Sequence, residues 1–253
     1  MKLKNLLLVS FSLFVYAVNA QTDKERKLPW DYPVKPWTDE LVVTDEWKQL
    51  KTRQETIDAS QIPEKVLSSL STDDLVELCM KNPLLGEIWH YKPYDNGLDS
   101  LIKRINCFRE LFKREDASKG LLKFYKYSLK NMSFLESDAA SILKGDFVVK
   151  IAIVEIFLTR CQSPESTKKE NFMEILANLV EGYEKMLMYP DYFWAFSLNK
   201  NLFSRARQIV KINKLYLEQI PQKDKNSVLF GGDVDEDTIH VINELSYQII
   251  KQK

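Results

Sequence analysis

The residues best suited to catalysis lie in the stretch EIWHYKPYD, positions 87 to 95. His90 is one of two histidines in the chain, and Glu87 and Asp95 are carboxylates near it in sequence. A histidine beside a carboxylate is a common arrangement for general acid–base catalysis. Glu87, His90 and Asp95 are therefore the catalytic candidates. Because the sequence has no G-x-S-x-G motif and no papain-like cysteine signature, we favour the alternative that His90 is a packed loop histidine.

A second group of residues has the spacing of a calcium-binding loop. Asp233, Asp235 and Asp237 occupy positions 1, 3 and 5 of an EF-hand count, and Glu244 occupies position 12. Thr238 stands where the sharp turn requires glycine, and the apolar residues that follow have helical spacing. Acids at a helix start are equally explained by capping and by the helix dipole. We therefore expect no metal and no cofactor, with these four acids as the calcium candidate.

The segment LPWDYPVKPWTDE, residues 28–40, contains three prolines and three aromatic residues. Its prolines disfavour helix and predict a stiff, extended conformation. Trp30, Tyr32 and Trp37 are binding candidates, because exposed aromatic rings form platforms for glycans or partner proteins. The alternative, which we favour, is a strap packed across the protein's own helices through Trp30 and Trp37.

Residues 1–20 have the features of a secretory signal peptide. Lys2 and Lys4 precede a long uncharged, apolar run that ends in V-N-A. Cleavage after Ala20 would leave Gln21 first, and since that residue is not cysteine a lipoprotein anchor has no attachment point. We expect an exported protein, periplasmic or secreted, with no stable membrane insertion after signal cleavage.

The charge balance excludes one class of partner. The chain of 253 residues has 36 basic and 36 acidic residues, and loss of the signal peptide leaves a slight excess of acids. The two signs are interspersed, which is typical of solvated surface and not of a nucleic-acid-binding protein. The expected partner is therefore an envelope protein or glycan.

The three cysteines do not form a recognisable motif. Cys79, Cys107 and Cys161 lack the short spacing of a zinc knuckle or a C-x-x-C redox pair. Helical spacing places Cys79 on a core face, so buried free thiols are the favoured interpretation. A disulfide between two of them stays open.

Helical patterns dominate the chain beyond residue 43. Apolar residues from Leu98 to Phe112 recur every three or four positions and predict one helix, and a stripe from Phe172 to Leu187 predicts another. The segment 146–160 is almost continuously apolar, and its length and its Asp146 cap predict a central helix in preference to a buried strand. We expect an all-α fold of eight to ten helices, either an irregular α-solenoid of HEAT/armadillo-like pairs or a compact multi-helix bundle. The predicted organisation is a signal peptide (1–20), an extended Pro/aromatic segment (21–43) and one all-helical domain (44–253).

Two charged residues interrupt the apolar segment 146–160. Lys150 and Glu155 could be a functional buried ion pair, but five residues place them about 140° apart on a helix. They therefore do not face each other, and Lys150 more simply extends its amine to solvent from the edge of the core.

One family resemblance rests on two stretches. TDEWKQLKTRQETIDASQIPEKVLSSLSTDDLVELCMKNPLL, residues 44–85, and FRELFKREDASKGLL, residues 108–122, resemble an uncharacterised family of exported, all-helical bacterial proteins, a domain of unknown function. The resemblance implies a Gram-negative exported protein and supplies no catalytic residues. We expect a non-catalytic binding or scaffolding module of the cell envelope. The alternative is a hydrolase acting on envelope glycan or peptide, with His90, Glu87 and Asp95 as its residues.

Overall fold

The structure is a computed structural model that describes residues 48–161, 169–193, 195–230 and 234–251. Within these ranges it has eleven complete α-helices, three 3₁₀ helices and no strand. The all-α prediction is confirmed, with slightly more helices than the eight to ten expected. The α-helices are α1 (Arg53–Ala59), α2 (Glu64–Ser69), α3 (Thr72–Lys81), α4 (Tyr94–Arg104), α5 (Asn106–Lys113), α6 (Ala117–Lys130), α7 (Ser141–Arg160), α8 (Lys169–Leu187), α9 (Ala195–Ile212), α10 (Lys225–Phe230) and α11 (Glu236–Lys251). The 3₁₀ helices are Leu85–His90, Met132–Glu136 and Lys214–Gln219.

Side-chain caps fix the start of several helices. At α1 the Thr52 hydroxyl accepts a hydrogen bond from the Glu55 backbone N–H at 3.2 Å, and the Glu55 carboxylate accepts one from the Thr52 N–H at 3.0 Å. Ser71 caps α3 by accepting from the Asp74 N–H. These side chains satisfy backbone donors that have no partner within the helix.

The stripe from Leu98 to Phe112 belongs to two helices and not to one. Ile105 has extended backbone angles (φ −114°, ψ 122°) and separates α4 from α5. The prediction of a single helix is therefore wrong, although the apolar residues still face the core. The apolar spacing continues across the break at Ile105 because α4 and α5 pack on each other and face the same core.

Helix α7 is central, as predicted, but it begins earlier than Asp146. It starts at Ser141 and includes both Gly145 and Asp146. Every residue from Ile151 to Thr159 is buried. A helix that is apolar on all sides is stable only when neighbours cover its whole circumference.

The core has two hydrophobic clusters. The larger is built mainly from α3 to α7, and the smaller joins α8, α9 and α11. Helix α9 contacts α7, α8, α10 and α11, so neighbours surround it. These four are the two helices before α9 and the two after it in sequence. The predicted stripe of α8 is mostly buried, but Leu187 at its end is 51% exposed.

All three cysteines are free and buried, as the sequence favoured. Burial is the main cause that raises the pKa of Cys79 well above its usual value, and the neighbouring Cys107 thiol raises it further. Burial raises the pKa of Cys161 to about 12. Such thiols are protonated at neutral pH and react slowly.

Candidate functional site

Helix α9 has a buried polar face. Asn201, Ser204, Arg205 and Gln208 follow the spacing i, i+3, i+4, i+7, which places them on one side of the helix over about 10 Å. Each is 0% exposed. Leu202, Ala206 and Ile209 are also buried and belong to the apolar core. We call these four polar residues the polar face of α9.

Glu155 of α7 meets this face in the interior. Its Oε1 accepts a hydrogen bond from the Tyr125 hydroxyl at 2.5 Å and another from the Asn201 Nδ2 at 2.7 Å. Its Oε2 has no hydrogen-bond partner among the described residues. Burial raises the pKa of Glu155 to about 8 and outweighs the opposing effects of Tyr125, Asn201 and Arg205. Glu155 is therefore mostly protonated at neutral pH.

A glycine makes room for the Tyr125 hydroxyl. A Cβ built on Gly182 of α8 would lie 1.9 Å from the Tyr125 oxygen and 2.9 Å from its Cζ. Any side chain at position 182 would thus displace the hydroxyl that donates to Glu155. The contact explains why a glycine in the middle of α8 has a structural purpose.

Arg205 is buried without a carboxylate at hydrogen-bonding distance. Its guanidinium lies over the Tyr183 ring, with Cζ 4.3 Å from the ring centroid. Its Nε and both terminal nitrogens lack a hydrogen-bond partner among the described residues. Burial lowers its pKa to about 10, so the group is still charged at neutral pH. Stacking on an aromatic face compensates only part of the lost hydration of a cation.

A separate apolar groove lies between α3, α6 and the start of α7. It has a volume of about 530 Å³. Its apolar lining consists of Met80, Phe124, Tyr127, Phe134, Leu143 and Phe147. Phe134 and Phe147 contact edge to face, with ring centroids 5.6 Å apart. Tyr127 is 59% exposed at the groove. We refer to this feature as the groove.

Paired charges surround the groove. Lys150 pairs with Asp146 at 2.5 Å, and Lys123 pairs with Asp73. These pairs are consistent with the sequence-based separation of Lys150 from Glu155. Each of these amines is already paired with an acid of the protein itself. The part of the groove that another molecule could contact is therefore its apolar lining.

The three catalytic candidates do not form a catalytic arrangement. Glu87 accepts hydrogen bonds from Arg53 at 2.9 Å and from Arg104 at 2.7 Å. Partial burial alone would raise the pKa of Glu87, but the two arginines outweigh it and hold the pKa below its usual value. Asp95 pairs with Arg207 of α9 at 2.7 Å. His90 is exposed and ends the 3₁₀ helix Leu85–His90, where the sequence suggested a loop.

The calcium candidates serve other purposes. Asp235 caps α11 by accepting from the Thr238 N–H at 2.9 Å and pairs with Lys223. Glu244 lies 3.3 Å from the ring of His240. Asp237 is exposed. Among the described residues no group of three or more histidine, cysteine or acidic side chains is placed to hold a metal ion.

Four of the predicted site residues fall outside the described residues. They are Trp30, Tyr32 and Trp37 of the binding candidate and Asp233 of the calcium candidate.

Sequence reasoning noted Glu155 but did not find its partners. Sequence spacing places Asn201, Ser204, Arg205 and Gln208 on one side of a helix. Because a polar stripe on a helix is ordinarily exposed, this spacing alone would indicate a solvent-facing surface. Only the packing of four helices around α9 shows that this stripe is interior.

Comparisons with protein-family models, with curated proteins and with solved structures return no match for this chain. No helix in the described part of the chain is both long enough and apolar enough to cross a membrane.

Proposed function

We propose that this protein is an exported, non-catalytic binding protein of the cell envelope, and that its groove holds an apolar segment of a partner polypeptide. The observation that carries the proposal is the apolar groove itself, with Tyr127 exposed in its wall. The export component is supported by the signal-like residues 1–20, and the resemblance of segments 44–85 and 108–122 points to the same class of exported helical protein.

The dimensions of the groove suit a short peptide segment. Along α6 its lining runs from Gly120 to Ser128, a length of about 12 Å. That length matches two turns of helix or four extended residues. Peptide-binding grooves commonly obtain affinity from a few aromatic or aliphatic anchors placed in such a depression.

The charges around the groove favour a polypeptide over a glycan. Glycans require hydrogen-bonding groups that can be redirected to sugar hydroxyls, whereas Lys123 and Lys150 are already bound to acids of the protein. The ion pairs of Glu87 and Asp95 likewise count against the hydrolase alternative, because both carboxylates are held by arginines.

A random-peptide phage display library, selected on the purified protein, tests the binding proposal. We expect the selected peptides to be rich in aromatic and large aliphatic residues. Tyr127→Asp should weaken the binding of a selected peptide at least tenfold, which corresponds to about 1.4 kcal/mol. Leu215→Asp is the matched control, because Leu215 is 63% exposed and lies away from the groove.

Selected peptides that bind Tyr127→Asp as well as the unaltered protein would refute the groove as the site. If the protein binds a glycan array and Tyr127→Asp abolishes that binding, the ligand of the groove is a glycan and not a polypeptide. Export has a separate test. The intact mass of the exported protein should correspond to a chain that begins at Gln21, and a mass that includes residues 1–20 would refute signal cleavage.

A further inference from the structure

The polar face of α9 concentrates buried polar atoms that lack partners. Together with Glu155, its four residues leave eight buried nitrogen or oxygen atoms without a hydrogen-bond partner in the described structure. Buried polar atoms in folded proteins are almost always hydrogen-bonded, since an unpaired one has lost its hydration without compensation. A group of eight in one place therefore indicates something that the protein's own side chains do not supply.

The charge at this place is also unbalanced. The ionisable groups that act most on Arg205 are Tyr183, Glu155, Tyr247 and Tyr125, and Glu155 is the one carboxylate among them. Glu155 is mostly protonated at neutral pH, and no carboxylate lies at hydrogen-bonding distance from the guanidinium. The Arg205 guanidinium is then a positive charge in the interior without a counterion, which is a costly arrangement.

We infer that the polar face of α9 binds a small organic carboxylate, with the Arg205 guanidinium as its anchor. The proposal is independent of the groove, which lies between other helices. The planar guanidinium presents donors in a fork that matches the two oxygens of a carboxylate. Ser204 and Gln208 lie on the same face and offer a hydroxyl and an amide as further donors.

Two acceptors, one on either side of Arg205 along the helix, complement the remainder of such a ligand. Asn201 Oδ1 and Gln208 Oε1 are unpartnered acceptors, suited to a hydroxyl or amine of the ligand. Ordered water could satisfy these acceptors, but water does not neutralise the charge of Arg205. A halide would neutralise it but would leave the planar fork and the acceptors unmatched.

Native mass spectrometry of the purified protein is the first test. The native mass should exceed the denatured mass by that of a small acid, and the difference should disappear in Arg205→Met. Methionine keeps a long unbranched side chain at the position and removes the charge and the donors.

Thermal unfolding in sodium acetate, compared with sodium chloride of equal ionic strength, is the second test. A hundredfold excess of acetate over its dissociation constant stabilises the folded state by about 2.7 kcal/mol. For a chain of this size that is a rise of roughly 5–10 °C in melting temperature. Arg205→Met should show the same melting temperature in both salts.

The proposal is supported if a bound carboxylate is found in the unaltered protein and not in Arg205→Met. It is also supported if acetate stabilises the unaltered protein and not that variant. Absence of both overturns it, as does a high-resolution crystal structure with only ordered water on the face. If Arg205→Met does not fold, Gln208→Leu replaces it, and acetate binding weakened at least tenfold is expected. Unchanged acetate binding in that variant contradicts the proposal.

Discussion

The buried carboxyl of Glu155 makes stability depend on pH in a direction that can be measured. Burial raises its pKa from 4.5 to about 8. Between these two values the folded state retains the proton and the unfolded state has lost it. Since the folded state then binds more protons, stability falls as pH rises through this window. Below about pH 4.5 both states are protonated, and above about pH 8 the loss is complete.

The magnitude follows from the size of the shift. One pKa unit corresponds to 1.36 kcal/mol, so the full shift is worth about 5 kcal/mol, of which about 3 kcal/mol has been lost by pH 7. Glu155→Gln removes the titration and keeps the shape. Its side-chain oxygen can still accept from Tyr125 and Asn201.

The assay is urea unfolding of the two proteins at a series of pH values from about 5 to 9. Other titrating groups are common to both, so the difference between their free energies of unfolding isolates Glu155. We expect Glu155→Gln to gain stability relative to the unaltered protein as pH rises and to reach a plateau above pH 8. Tyr125→Phe should extend the dependence to higher pH, because it removes a hydrogen bond that favours the charged carboxylate. A difference that does not change with pH would refute the buried, protonated Glu155.

Four further measurements test other features. Gly182→Ala should destabilise the protein by about 2–4 kcal/mol, because the added Cβ collides with the Tyr125 hydroxyl. Gly145→Ala should stabilise it by up to about 1 kcal/mol, because no atom lies within 4 Å of the added Cβ. Chemical denaturation of both variants measures these changes in the free energy of unfolding. A thiol reagent should detect all three cysteines after unfolding and none before, and a count of one after unfolding would reveal a disulfide. Starting the mature protein at Thr38 should lower its melting temperature by several degrees if residues 28–40 are a strap, and unchanged stability with lost binding would make that segment a site instead. Calcium or a chelator should leave the melting temperature unchanged, because Asp235 already caps a helix and pairs with a lysine, and a rise of several degrees with calcium would refute this.

Local chemistry in the sequence accounts for most of the elements. The caps at Ser71 and Asp235 satisfy backbone donors within three residues, so they can be recognised without tertiary information. The length and apolarity of segment 146–160 likewise indicate a buried helix. Boundaries were less well predicted, as at Ile105, because a helix can break and resume while its apolar residues continue to face the same core.

The candidate sites depend on contacts between residues distant in sequence. Glu87 and Asp95 looked available for catalysis until Arg53, Arg104 and Arg207 were found beside them. Periodicity identifies which residues share a face of a helix, but it does not identify what covers that face. By itself the sequence therefore determined the all-helical class, the position of Cys79 on a core face and several helix ends. Only the tertiary structure decided that the polar face of α9 is interior, because burial of that face requires α7, α8 and α11 to close around it.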